Sequence, residues 1–291
     1  MARGNRLLGT LRGKLGDTVY YRSRGYQIER PRVVPKNPRT RAQMTQRVKI
    51  ANVSAIYRAL KPVLSRSFVV RGQHESSFNA FSRAALPQSP YMTKSMVAEC
   101  LALPMSAQLS RGGLGTYIYT GLEIGGEIAF VRLPSYITTD SAPTVSLWSQ
   151  YFLLENPQFQ EGDTIVVAMI QFKSNGYVSN DDAYNAVGKY ASIVLNLSDD
   201  RSITEVGFGV EQSSKTLVPL GWPTEDAINA EDFVAMSGAF VSRKTENGDI
   251  DVSSQYFVLT QAAHDLYSDF HDNAALNAAI ESYGVGNDRV V

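Results

Sequence analysis

Residues 232–259 read DFVAMSGAFVSRKTENGDIDVSSQYFVL, and their pattern decides the architecture. Two β-rich runs flank Asn247-Gly248, a dipeptide favoured in tight hairpin loops because both residues accept positive φ at little cost. The spacing predicts an antiparallel pair, Phe233–Arg243 with Ile250–Leu259, joined by a type I′ turn. The same texture extends back to about residue 105. EIAFVRLP, DTIVVAMIQF, ASIVLNLS and TEVGFGVE are short β-rich runs cut by Gly, Asn, Asp and Pro, as in an antiparallel sandwich. One helix is expected to interrupt them at VSLWSQYFLL.

Upstream the period changes from two to that of a helix. Thr40 with Gln43 three residues on makes a capping-box pattern, and Ile50, Val53, Tyr57, Leu60 and Leu64 recur at 3-4 spacing as the expected core stripe. Pro62 should kink or end this helix. Further helices are expected at Ser76–Ala85, with Phe78 and Phe81 on one side, and at Thr93–Ala102. Near the start, TVYY and YQI around RSRG read as a hairpin, and Pro31, Pro35 and Pro38 make the next segment an irregular arm. After Thr260, AAHDLYSDFHDNAALNAAIESYG reads as one or two short helices ending at Gly284. The expectation is therefore α+β. It comprises a basic hairpin and arm (1–38), a helical region (39–104), a mainly antiparallel, Ig-like β-sandwich (105–260) and a short helical tail (261–291).

The formal net charge is +0, from 28 Lys+Arg and 28 Asp+Glu, but the charges are not mixed. Residues 1–71 hold 17 of the basic residues against only Asp17 and Glu29, so the two parts carry about +15 and −15. Such a division points to a partner surface of opposite sign, either a polyanion or a neighbouring subunit. The candidate interaction surface comprises Arg22, Arg24, Arg30, Arg32, Lys36, Arg39, Arg41, Arg47, Lys49 and Arg58, with Tyr20, Tyr21 and Tyr26 as candidate interface aromatics. Tyrosines interleaved with arginines suit either stacking on single-stranded nucleic acid or packing against protein.

Catalytic chemistry is sparse. The three histidines, His74, His264 and His271, sit in no nucleophile or metal motif. His264 and His271 are seven apart, with Asp265, Asp269 and Asp272 nearby, but paired metal ligands on one helix more commonly use i, i+4 spacing. SRGGLGT (110–116) lacks the lysine of a phosphate loop and reads as a turn. Asp181-Asp182 and Asp199-Asp200 lack the spaced oxygens of a calcium loop and read as solvated turns. Cys100 is the one cysteine, so no intramolecular disulfide can form, and its neighbours suggest inert packing on a helix face. The start lacks a signal-peptide pattern, and no run approaches ~18 uninterrupted apolar residues. The expectation is a soluble non-enzyme without cofactor, metal site or membrane span.

The N-terminal pattern GTLRGKLGDTVYYRSRGYQIERPR…NPRTRAQMTQRVKIA resembles a module at the start of uncharacterised proteins from Bacteroidota and of virion proteins of their crAss-like tailed phages. GDTIVVAMIQF and FVAMSGAFVSRKTENGDIDVSSQYFVL are similar to that family's closing β-segments, which end in a Ser-x-x-Tyr strand, here Ser253 to Tyr256. The resemblance spans residues 9–85 and 145–259; the middle and the tail after Thr260 depart from it. It implies a structural protein of the virion, assembled in the host cytoplasm and stacked as a symmetric ring in a portal–tail barrel, in register with a dodecameric portal. It implies contacts with other phage structural proteins and non-specific contact with DNA in the channel. A nucleic-acid-binding protein using the basic N-terminal region is one alternative; a head auxiliary or fibre-type phage protein is another.

Overall fold

The computed structural model describes residues 12–23, 25–33, 39–72, 75–115, 131–132, 143–174, 184–211, 216–223 and 233–285. Arg24, Pro35, Lys36, Pro38, His74, Asp181 and Asp182 lie outside the described residues, as does most of EIAFVRLP. The chain is α+β and divides into two compact units, residues 1–39 and 40–291.

The first unit is a three-stranded antiparallel meander of β1 (Gly13–Leu15), β2 (Thr18–Ser23) and β3 (Tyr26–Pro31). The expected hairpin is β2–β3, paired from Ser23↔Tyr26 to Thr18↔Pro31. β1 is an addition to it, folding back over Gly16-Asp17 so that Leu15 pairs with Thr18. Three residues without a β-branched side chain are too short a run to be read as a strand.

In the second unit, α1 (Arg41–Ala59) starts where expected, with the Thr40 hydroxyl accepting from the Gln43 amide. Its buried stripe is Met44, Val48, Asn52, Val53 and Ile56, continued by Leu60. That stripe is rotated from the expected one: Ile50 is exposed and Tyr57 only half-buried. Pro62 falls in the first turn of α2 (Lys61–Leu64), where a missing N–H costs nothing. Ser76 caps α3 (Ser77–Ala85) and Thr93 caps α4 (Lys94–Ala98). The latter ends earlier than expected because Cys100 turns to φ 58, outside helical geometry.

The next strands are β4 (Gln108–Ser110), β5 (Val131–Arg132), β6 (Thr164–Ser174), β7 (Tyr184–Val194), β8 (Phe208–Glu211) and β9 (Thr216–Pro219), with α5 (Val145–Glu155) before β6. The last strands are β10 (Ala235–Lys244), β11 (Ile250–Val252), β12 (Gln255–Tyr256) and β13 (Val258–Leu259), and the chain then enters α6 (Gln261–Asp269) and α7 (Asn273–Ser282). The central antiparallel sheet runs β11-β10-β6-β7, with β13 also paired to β10.

Both faces of this sheet are buried. Ala168, Ile170 and Phe172 of β6, with Met236 and Phe240 of β10, pack in one core with Val53, Ile56, Leu60 and Phe81. The alternate positions, Ile165, Val167, Met169, Ala235, Ala239 and Val241, pack on Trp148 and Phe152 of α5 and on Phe208 and Leu217 of β8 and β9. This explains why β6 reads as a continuous apolar run instead of alternating. The sheet-on-sheet layering expected of a sandwich exists on the second face only; helices cover the first. The helical region, the strands and the tail are layers of one unit. Ala263 and Leu266 of α6 enter the first core, and Leu276, Ala279 and Ile280 of α7 pack on Met44 and Val48.

The Asn247-Gly248 turn differs from the type I′ expectation. Gly248 has φ 82, whereas Asn247 is not among the positive-φ residues, and the Gly248 amide donates to the Thr245 carbonyl at 2.9 Å. The Thr245 amide also donates to the Asp249 carbonyl at 2.8 Å. This is a three-residue loop built on a type I turn with glycine in the left-handed position. Pairing of β10 with β11 lasts three residues, Ser242↔Val252 to Lys244↔Ile250. The chain then swings out to pair Gln255 and Tyr256 with β4 and returns to β10 at Val258. Beside the loop, Arg243 clasps Asp163 in a two-pronged ion pair, Nε to Oδ1 at 2.7 Å and Nη2 to Oδ2 at 2.6 Å. Because Asp163 is buried, this pair ties the entry of β6 to the exit of β10.

Candidate interaction surface

Alternation along β2 and its register with β1 and β3 sort the first unit into two faces. Lys14, Val19, Tyr21, Ile28, Arg30 and Tyr26 share one face; Leu15, Thr18, Tyr20, Arg22, Gln27 and Glu29 share the other. On the first face the Arg30 guanidinium lies 5.3 Å from the centre of the Tyr21 ring, within cation–π range. On the second, the Tyr20 hydroxyl donates to Glu29 Oε1 at 3.1 Å, and that bond to a carboxylate raises the Tyr20 pKa above its ordinary value. None of the described residues of this unit is buried. Tyr26, Arg22, Arg30 and Arg32 are exposed, as is Arg39 with φ 50 at the boundary between the units; Tyr20 and Tyr21 are half-buried.

The basic residues of α1 behave differently from one another. Arg47 and Arg58 are exposed. Arg41 is half-buried and donates from Nη2 to Asn277 Oδ1 of α7 at 2.7 Å. Lys49 is half-buried too, donating to the Pro87 carbonyl at 3.1 Å and lying 5.0 Å from the centre of the Tyr91 ring, and burial lowers its pKa. These two cations fasten α1 to its neighbours within the second unit. Sequence spacing groups all ten basic positions together; the fold brings Arg30 to Tyr21 and turns Arg41 and Lys49 inward.

The other candidate sites resolve into structural roles. α6 ends at Asp269 and α7 starts at Asn273, so His264 and His271 do not lie on one continuous helix. His264 is exposed, with Nδ1 3.8 Å from Asp265 Oδ1. His271 stacks on Tyr267 and Tyr91, with ring centres 4.8 and 5.8 Å away. Its Nε2 is buried without a hydrogen-bond partner among the described residues. Burial, and secondarily the Lys49 charge, lower the His271 pKa, against a hydrogen bond to the Pro87 carbonyl that raises it. The described residues contain no group of three or more His, Cys, Asp or Glu placed to hold a metal ion. In SRGGLGT the amides that a phosphate would need are already used: Gly112 donates to Ser254 Oγ, Gly113 to Asp251 Oδ1 and Leu114 to the Val252 carbonyl. Asp199 accepts from the Arg201 side chain at 2.7 Å. Cys100, expected to pack on a helix face, is exposed, because α4 stops before reaching it.

One surface escaped the sequence reading. β7 is the outermost strand of the central sheet, and among the described residues it pairs only with β6, through eleven unbroken positions. Val187, Tyr190 and Val194 on it are 39, 54 and 50% exposed. The signal was apolar residues at both odd and even positions of NAVGKYASIV with a single charge, Lys189. No described helix is long and apolar enough to cross a membrane. No protein-family model matches this chain, and neither a curated protein nor a solved structure matches it.

Proposed function

We propose that this protein is a non-enzymatic assembly subunit of a virion, one that self-associates into a symmetric ring of a phage portal–tail complex. The observation that carries the assembly reading is the first unit, a three-stranded sheet without a buried residue at any described position. Small sheets of this kind gain stability only by packing a face against something else. Here the available faces combine tyrosine, isoleucine and valine with arginine, and residues 1–39 carry ten Lys+Arg against Asp17 and Glu29. The acidic remainder of a neighbouring copy is a surface of opposite sign. The assignment to a phage portal–tail ring, and so to the virion, rests on the resemblance of residues 9–85 and 145–259.

A second reading is favoured by one specific feature, the stacked Arg30–Tyr21 pair on an exposed basic face, which suits single-stranded nucleic acid. The experiment is electron microscopy of the purified, nucleic-acid-free protein, paired with a titration against fluorescent single-stranded DNA at rising salt. Closed rings without DNA support assembly. A monomer that binds DNA with an affinity falling steeply with salt contradicts it and favours the second reading.

A further inference from the structure

A second group of cations gathers in the larger unit. Lys61 opens α2, Arg66 and Arg71 follow it, Arg83 lies in the last turn of α3, and Arg111 follows β4. Hydrogen bonds hold these segments side by side. The Ser65 amide donates to the Lys61 carbonyl at 3.0 Å, the Arg111 amide to the Ser67 carbonyl at 2.8 Å, and the Val69 amide to the Arg111 carbonyl at 2.9 Å. Arg71 Nη1 donates to Ser77 Oγ at 2.7 Å, and that hydroxyl donates to the Ser65 carbonyl at 2.7 Å. All five cations are exposed. The one acidic residue within 61–83, Glu75, is already engaged, accepting from the Gly72 amide and from the Arg83 guanidinium. Chiefly that amide, and then the Arg83 and Arg111 charges, hold the Glu75 carboxyl below its ordinary range against the opposing effect of burial. Asp251, beside Gly113, gives its Oδ1 to the amides of Gly113 and Val252. The side chains of Lys61 and Arg66 have no hydrogen bond or ion pair among the described residues.

Like charges collected in this way repel one another, so the arrangement calls for an external anion. Its chemistry follows from what surrounds the cations. Among the described residues from 58 to 115, Val70 is the one exposed large apolar side chain, at 56%. A protein partner would want more, because interface centres are built on aromatic and aliphatic anchors and are depleted of charge. Four of the five cations are arginines, whose planar guanidinium matches phosphate oxygens two at a time. None of the described aromatic rings of this stretch is exposed, so unstacked bases find no platform here, in contrast to the Arg30–Tyr21 face. We infer that this face, from α2 through α3 to the end of β4, binds the phosphate backbone of duplex nucleic acid without reading its sequence. The inference goes beyond both readings above, since it asks nothing of the N-terminal sheet and nothing of a second copy.

The test is fluorescence anisotropy of the full chain with a short labelled DNA duplex of mixed sequence, from about 50 to 200 mM salt. Two triple variants on exposed side chains are compared: Lys61→Gln with Arg66→Gln and Arg111→Gln, and Arg22→Gln with Arg30→Gln and Arg32→Gln. The first removes up to three phosphate contacts. It should weaken binding about tenfold or more and flatten the slope of log affinity against log salt by about 2–3, at wild-type melting temperature and native mass. The second should keep the wild-type slope. Should the Arg111 change lower the melting temperature, Lys61→Gln with Arg66→Gln alone should still flatten the slope by about 1–2. A wild type that does not bind the duplex at the lowest salt overturns the proposal. So does a wild-type slope in the first variant, and a slope flattened only in the second moves the phosphate contacts to the N-terminal sheet. A first variant that binds duplex like the wild type but loses native mass assigns the face to a neighbouring copy, which also overturns it.

Discussion

At Gly248 it is backbone geometry, not space, that restricts a side chain, since an added Cβ would meet nothing nearby. With φ 82 this residue occupies the left-handed place that closes the three-residue loop between β10 and β11. A β-branched residue there meets its own backbone, so Gly248→Val should cost about 1–3 kcal/mol in urea denaturation, and an unchanged midpoint would contradict the loop assignment. His271 supplies a pH dependence. Its imidazole is held neutral by burial against Tyr91 and Tyr267 and by the Lys49 charge, and protonation would place a second N–H at Nε2 where no acceptor exists among the described residues. The folded pKa is therefore below that of the unfolded chain. The stabilisation is full at neutral pH and is lost as pH falls below ~6.5, because the unfolded chain takes up its proton first. His271→Phe keeps the stacking and removes the titration, and the Pro87 carbonyl retains Lys49 as a donor. Its stability should fall less than wild type between pH 7 and pH 5 in thermal melts; parallel pH profiles would contradict this role.

At the scale of elements, legibility followed how local the cause is. Caps at Thr40, Ser76 and Thr93 sit where the side chains predict, because a cap is decided within four residues. The core stripe of α1 was legible in part: Val53, Leu60 and Leu64 are buried as expected, whereas Ile50 is exposed and Met44, Val48 and Ile56 take its place, since burial along the helix is set by two distant partners. α7 covers Met44 and Val48, and the strands β6 and β10 cover Ile56 and Leu60. Asn52 shows the limit clearly: a polar residue in the buried stripe, it exchanges hydrogen bonds with both the amide and the carbonyl of Leu103, 2.8 and 3.1 Å away. Within the candidate surface, the aromatic and basic character of the N-terminal strands was legible. The inward turn of Arg41 and Lys49 depends on chain segments far away in sequence. The division between the units makes a prediction at this scale. Residues 40–291 form a separate compact unit with its own cores, so deleting residues 1–39 should leave a protein of near wild-type melting temperature that no longer associates. Wild-type assembly by the truncated chain, judged by sedimentation velocity, would contradict a role for the N-terminal sheet.

For the whole molecule the governing feature is the split of about +15 on residues 1–71 against −15 on the rest. Contacts between unlike parts are favoured and contacts between like parts are penalised, which selects a head-to-tail register. Exposed pairs are each worth at most ~1 kcal/mol and are screened over ~8 Å at physiological ionic strength, so in the proposed assembly charge would steer the encounter and tyrosine and aliphatic contacts would hold it. Assembly should therefore slow with added salt more than it dissociates, and replacing Arg22, Arg30 and Arg32 with Glu should slow it at low salt without lowering the melting temperature of the monomer. The most direct measurement is the native mass of the purified full-length protein, free of nucleic acid, across a concentration series at low and at high salt. A discrete species at one multiple of 32.0 kDa, forming more slowly as salt rises, is the predicted result. A 32.0 kDa monomer at every concentration and salt would contradict the assembly account.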